Sequence, residues 1–233
     1  MLAFLRFGLA AIAGWLVYLS YEPHGYALIG VAGIALFYIS LMPWPRRFTR
    51  ATGMAGQAQE RPAGSFGALL GFTHGLFCYL FLLPWIGEFV GAMPYVALSV
   101  TMALYAIATG IFGVLVARWR FGFAAFPLIY LVVEFLRSSV PFGGFSWVRL
   151  AWGQINGPLA NLAPWGGPAL VTVAAALVGT AAVAAWSHDR WVRITAATTV
   201  GVTIGLGLLS GLAVDRPSAN VGEVRAAAVQ GNV

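Results

Sequence analysis

The chain has 233 residues, 60% of them hydrophobic and only 9% charged, with a mean hydropathy of +0.84. A soluble domain of this size carries about 25% charged residues, so there is too little polar surface here to cover a water-soluble globule. The net charge is +6 and all 13 basic residues are Arg; because they sit between apolar stretches, the balance reads as membrane topology rather than nucleic-acid binding. One cysteine, Cys78, excludes an internal disulfide framework and a cysteine-based metal cluster.

A membrane helix needs about 20 mostly apolar residues. Seven such stretches are expected, over 3–21, 24–42, 65–87, 91–117, 121–140, 164–186 and 192–213. The fold class is therefore an all-α polytopic membrane bundle filling residues 1–213. The first stretch lacks a small-residue cleavage site after Ser20-Tyr21-Glu22, and a second follows at once. A helical hairpin is expected rather than a signal peptide, with Pro23 and Gly25 in its turn.

Arginine placement sets the orientation. With the N-terminus in the cytoplasm, the inner segments hold Arg6, Arg46, Arg47, Arg50, Arg61, Arg118, Arg120, Arg190 and Arg193. The outer positions hold Arg137, Arg149, Arg216 and Arg225. This is the direction of the positive-inside rule, and it delivers residues 214–233 to the outer face. Segment 43–64, with Pro43, Pro45, Gly53, Gly56, Gln57, Gln59 and Glu60, reads as a cytoplasmic loop that can lie on anionic lipid. Residues 141–163 form an external segment rich in Gly, Trp and Phe, with Trp147, Trp152 and also Trp85 suited to the aromatic belt. Pro164-Trp165-Gly166-Gly167-Pro168 favours a helix break or a helix start. Residues 224–233, Val-Arg-Ala-Ala-Ala-Val-Gln-Gly-Asn-Val, read as the opening β-strand of a soluble domain, which cannot fold without a sheet partner.

Glu134 and Arg137 are the one acid–base pair inside an apolar stretch, and at i,i+3 they share a helical face. Glu134 falls about 20 Å up a helix starting near Phe121, in the outer half of a core about 30 Å thick. An unpaired charge at mid-membrane costs roughly 2.5–3.5 kcal/mol, so the two are expected to pair, facing a polar cleft. Two roles are open: an ion pair locking helices together, or a polar anchor near a lipid headgroup or an active-site mouth. His74 and Cys78 share a face four residues apart, the spacing of a thiolate–imidazole pair; a buried cysteine is more often an inert small hydrophobe. Gly71 and Gly75 beside them suit helix packing. Glu22 and Glu88 read as solvated residues at the outer surface.

Several motifs, in order, resemble those of bacterial apolipoprotein N-acyltransferases. Leu131-Val132-Val133-Glu134-Phe135-Leu136-Arg137 is similar to the family's "vEwlR". Gly144-Phe145-Ser146-Trp147 is similar to "GFPW", with Ser146 where Pro is usual. Gly157-Pro158-Leu159 and Leu162-Ala163-Pro164-Trp165-Gly166-Gly167 resemble "plaqlaplgG", and Val229-Gln230-Gly231-Asn232-Val233 resembles "vQgNi", which opens a nitrilase-like domain.

The resemblance implies that residues 214–233 are a linker and the first strand of an α/β nitrilase-like domain outside the plasma membrane, followed in the family by an eighth helix. There a Glu-Lys-Cys triad takes an acyl chain from a phospholipid as a thioester. It passes the chain to the α-amino group of a lipoprotein's diacylglyceryl-cysteine, with no cofactor and no metal. The sequence has no Lys, Cys78 matches no family nucleophile, and Glu134 belongs to the membrane motif. No catalytic residue is thus carried over, and the chain as it stands is expected to be inactive. What carries over is a platform of Glu134, Arg137, Gly144, Phe145, Trp147 and Gln230, holding a lipid cleft and seating the soluble domain. The implied partners are a phospholipid donor, a diacylated lipoprotein acceptor and the bilayer. A different class is a membrane anchor or partner for a polyprenol-phosphate mannose synthase, to which relatives in some actinobacteria are linked. A small transporter is a third class, disfavoured by the lack of a chain of intramembrane ionisable residues.

Overall fold

The computed structural model describes residues 2–45 and 59–213. Their regular secondary structure is helical apart from a two-residue antiparallel pairing of β1 (Trp44–Pro45) with β2 (Gln59–Glu60). The helices are α1 (Leu2–Tyr18), α2 (Ala27–Leu41), α3 (Gly64–Leu82), α4 (Pro84–Val90), α5 (Ala92–Val116), α6 (Gly122–Arg137), α7 (Ala163–Ala184) and α8 (Arg190–Ala213). Two 3-10 turns, Leu150–Gln154 and Pro158–Leu162, lead into α7. The expected opening strand at 224–233, and Gln230 with it, lie outside the described residues.

The expectation of seven helical stretches is corrected to eight helices among the described residues. The single helix expected over 65–87 is divided at Leu83. Pro84 has no N–H to continue the helical ladder and its ring crowds the preceding turn; it sits instead at the first turn of α4, where a missing donor costs nothing. The segments Gly64–Leu82, Ala92–Val116, Pro158–Ala184 and Arg190–Ala213 are long and apolar enough to cross a bilayer, and Leu2–Tyr18 and Ala27–Leu41 are shorter apolar helices. Large apolar side chains such as Leu28, Leu104, Leu128 and Leu212 point outward, the inverse of a soluble fold and the arrangement lipid requires. The chain is a membrane protein.

Small residues let the helices close on one another. A Cβ on Gly71 of α3 would lie 2.1 Å from the Ala106 carbonyl oxygen of α5, and one on Gly110 would lie 1.9 Å from that of Gly67. This is the close backbone approach that only glycine permits, and in a membrane such packing replaces the hydrophobic effect as the source of association. The sequence expectation for Gly71 as a packing residue holds. The core that results contains Ile34, Phe37, Leu70, Phe126 and Ala175, all fully buried.

Two proline features shape the other half of the bundle. Pro127 lies inside α6 and cannot donate to the Phe123 carbonyl. Thr180 of α7 donates its hydroxyl to that carbonyl at 2.7 Å. In α7 the regular helix breaks at Gly166 and Gly167 (φ +62) and resumes at Pro168, so the Pro164-Trp165-Gly166-Gly167-Pro168 segment is both a helix start and a break. Where α7 turns into α8, Asp189 accepts from the Trp191 N–H (2.9 Å) and takes a two-pronged ion pair from Arg120 (2.8 and 3.2 Å). Arg120's hydrogen bond to Asp189 holds that carboxyl below its ordinary range.

Candidate functional site

Glu134 and Arg137 stand on the last turns of α6, both buried, with 5% and 3% exposure. They do not pair with each other. Between described residues one side-chain ion pair closes within 4 Å, that of Arg120 and Asp189. The expected ion pair is replaced by two sets of hydrogen bonds to the loop that follows α6, because backbone groups of that loop reach the charges first.

Arg137 donates from Nη1 to the Phe145 carbonyl at 2.7 Å and from Nη2 to the Val148 carbonyl. The Phe145 N–H in turn donates to the Arg137 carbonyl at 2.8 Å. Beneath the guanidinium lies the Tyr79 ring, its centroid 5.8 Å away. A planar fork of donors suits two carbonyls better than a single ammonium would. The loop can curl back to meet it because Phe142, Gly143 and Gly144 run consecutively at positive φ. Gly144 has no alternative: a Cβ there would lie 2.2 Å from the Ser138 carbonyl carbon.

Glu134 performs the complementary task. Its Oε2 accepts the Leu150 N–H at 2.8 Å, at the start of the first 3-10 turn, and its Oε1 accepts the Thr172 hydroxyl of α7 at 2.9 Å. A carboxylate at the start of a helical turn satisfies a donor with no partner of its own. Gln154, 1% exposed, then donates to the Ala27 carbonyl at 3.1 Å, and Asn156 donates to Glu22 Oε1 at 2.9 Å. Glu22, read from sequence as simply solvated, is exposed but also anchors the loop to the α1–α2 turn. The segment 138–157 is thus fastened to α6, α7 and the first hairpin by side chains far apart in sequence.

The clamped loop displays aromatic residues. Trp147, 67% exposed, stacks on Trp85 of α4 at 5.4 Å between centroids and 10° between planes, and Phe145 lies 6.0 Å from Trp147. Trp152 donates to the Ser146 carbonyl at 3.1 Å. Of the sequence candidates, Glu134, Arg137, Gly144, Phe145 and Trp147 are brought together in one layer. Reading the sequence missed Thr172 and Gln154; a threonine within an otherwise apolar helix, and an amide in a Gly-rich segment, were the available signals.

Inside this layer is a cavity of about 30 Å³, whose lining includes His74, Cys78, Tyr79, Tyr130, Glu134 and Arg137. His74 stacks flat on Phe37 at 4.0 Å and 8°, an arrangement of a packed ring rather than of a base held by Cys78. Among the described residues no three His, Cys, Asp or Glu side chains gather as a metal site. The layer therefore carries hydrogen-bonding and shape but no nucleophile–base–acid arrangement.

The family described as apolipoprotein N-acyltransferase N-terminal domain matches residues 13–181. Three of the relatives that bear the name apolipoprotein N-acyltransferase match most of this chain. One, from Mycolicibacterium smegmatis, is 36% identical over 96% of this chain and 38% of its own length. Another, from Vibrio vulnificus, is 30% identical over 85% of this chain and 38% of its own. The third, from Photobacterium profundum, is 28% identical over 80% of this chain and 35% of its own. The chain spans well under half the length of these relatives.

Proposed function

The chain belongs to the apolipoprotein N-acyltransferase family, forming the membrane part of such an enzyme, and we propose that it serves transfer of an acyl chain from phospholipid to the N-terminal diacylglyceryl-cysteine of lipoproteins. The observation that supports a role for this half is the clamp itself. Two buried charges, which are costly in a bilayer, both fix one loop, and that loop presents Trp147 outward beside the half-buried Phe145. In this reading the layer of Glu134, Arg137, Gly144, Phe145 and Trp147 borders a lipid cleft and seats a nitrilase-like domain, whose first strand includes Gln230. The Glu-Lys-Cys chemistry lies in that domain, since the sequence has no Lys; it is covalent nucleophilic catalysis with a carboxylate base.

The same reading sets the topology. The seven apolar stretches each cross the plasma membrane, α3 and α4 together forming one crossing, with the N-terminus in the cytoplasm and residues beyond 213 outside. The bias of arginines to the inner segments supports this.

The test is transfer of a labelled acyl chain by the native full-length gene product in phospholipid vesicles, using a diacylglyceryl-cysteine peptide as acceptor. The expected result is an amide-linked third acyl chain on the peptide. Absence of transfer by protein of native mass, under conditions where a relative named above is active, would overturn the proposal.

A further inference from the structure

The cavity inside the clamp layer has its own polar groups, which the loop does not use. His74, 4% exposed, lines it, and its Nδ1 has no hydrogen-bond partner among the described residues. The ring's hydrogen bond to the Ala10 backbone occupies its other nitrogen. Tyr21, Tyr79 and Tyr130 line the same space, and their hydroxyls make no hydrogen bond to described protein groups. Four polar groups from the α1–α2 turn, α3 and α6 thus converge on one small volume.

Leaving the His74 nitrogen unpaired is costly in any protein interior, and in a bilayer no solvent outside the bundle can satisfy it. The volume of about 30 Å³ narrows the occupant. A water molecule needs about 10–15 Å³ and two to four polar partners. The lining sets these polar groups among Cys78, Ala106, Val133 and Val148, and the described residues offer no cluster to hold a metal.

We infer that the cavity is a water-binding site, in which one or two water molecules bridge His74 Nδ1 to the hydroxyls of Tyr21, Tyr79 and Tyr130 beneath Arg137. A neutral His74 presents Nδ1 as an acceptor, so a water donates to it and accepts from a tyrosine. The bridge joins α3 to α6 and to the first hairpin through hydrogen bonds that no direct side-chain contact supplies. It does not rest on the acyltransferase reading: a bundle of any function with this lining would hold the same water.

X-ray radiolysis tests this, because hydroxyl radicals formed from bound water oxidise the side chains beside it. The full-length gene product is irradiated in lipid nanodiscs in ¹⁸O-labelled water, and oxidation is read residue by residue. Tyr21 is expected to oxidise several-fold faster than Tyr38, a tyrosine that is also buried but lies outside the cavity, and to take up the label. Oxidation of Tyr21 no faster than Tyr38 would overturn the inference. Cys78→Leu, which fills the space, is expected to suppress oxidation of Tyr79 and Tyr130 while leaving exposed Trp147 and Trp165 unchanged. Undiminished Tyr79 oxidation in a folded Cys78→Leu protein would overturn it as well. Should that variant fail to fold, the wild-type comparison still decides.

Discussion

The Thr180 hydroxyl of α7 donates to the Phe123 carbonyl of α6 at 2.7 Å, the one carbonyl that Pro127 deprives of its helical donor. A proline inside a membrane helix is tolerated when a neighbouring helix supplies the missing hydrogen bond. Thr180→Val is expected to destabilise the protein by about 1 kcal/mol, within the range for interhelical hydrogen bonds in membranes, and Thr180→Ser to restore most of it. In a Pro127→Ala background, which returns the backbone donor, Thr180→Val should cost less. A double-mutant cycle of unfolding in detergent measures this, and equal cost in both backgrounds would refute the pairing.

Glu134→Ala and Arg137→Ala each unfasten one end of segment 138–157. Either leaves buried polar groups without partners, at roughly 1–3 kcal/mol or more for charged ones. Both variants are expected to lower accumulation or turnover of the full-length protein and to expose the loop to protease. Arg137→Lys should recover only part of the loss, because one ammonium does not reproduce the fork that holds Phe145 and Val148. Wild-type level, turnover and protease resistance in both alanine variants would rule out the clamp.

Gly110→Ala forces a methyl group to within 1.9 Å of the Gly67 carbonyl oxygen. The α3–α5 contact must open, and a loss of about 1–3 kcal/mol is expected from overpacking. Gly8→Ala is the control, since a Cβ there meets nothing within 4 Å. Thermal midpoints of the two variants in one detergent give the comparison; equal midpoints would refute it.

The Arg120–Asp189 pair is exposed and sets a modest pH dependence. Asp189's carboxyl is held below its ordinary value in the folded chain, first by Arg120's hydrogen bond. Its contribution is therefore complete above the unfolded value near 3.9 and is lost as pH falls through the lower folded value. The midpoint difference between wild type and Asp189→Asn should be present at neutral pH, begin to fall below about pH 4, vanish only once pH is below the lower folded value, and shrink at high salt. A difference that grows on acidification would contradict this.

Cys78→Ser should retain acyl labelling and turnover of the full-length protein, since the thiol is buried beside a packed His74 ring rather than paired with a base. Loss of acyl labelling in this variant would reinstate Cys78 as a nucleophile.

Much of the helical layout was legible because its signals are local. Apolar runs gave the positions of α1, α2, α5, α7 and α8 to within a few residues. The break at Leu83-Pro84 was overlooked because the apolar run continues through it, and composition hides a proline that interrupts geometry without interrupting hydropathy. Glu134 and Arg137 were identifiable as one face from their spacing alone. Their partners were not: Thr172 is 38 positions from Glu134, and the receiving carbonyls of Phe145 and Val148 carry no side-chain signature at all.

The sequence by itself determined that this chain is a membrane bundle of its family, because hydrophobic length, arginine placement and motif order are properties of consecutive residues. Only the tertiary structure decided what the buried charges do. In a bilayer each must find a partner inside the protein, and which partner arrives first depends on how a glycine-permitted loop folds back over α6. That is why an expected ion pair between Glu134 and Arg137 became two separate grips on one loop, with a small polar cavity beneath them.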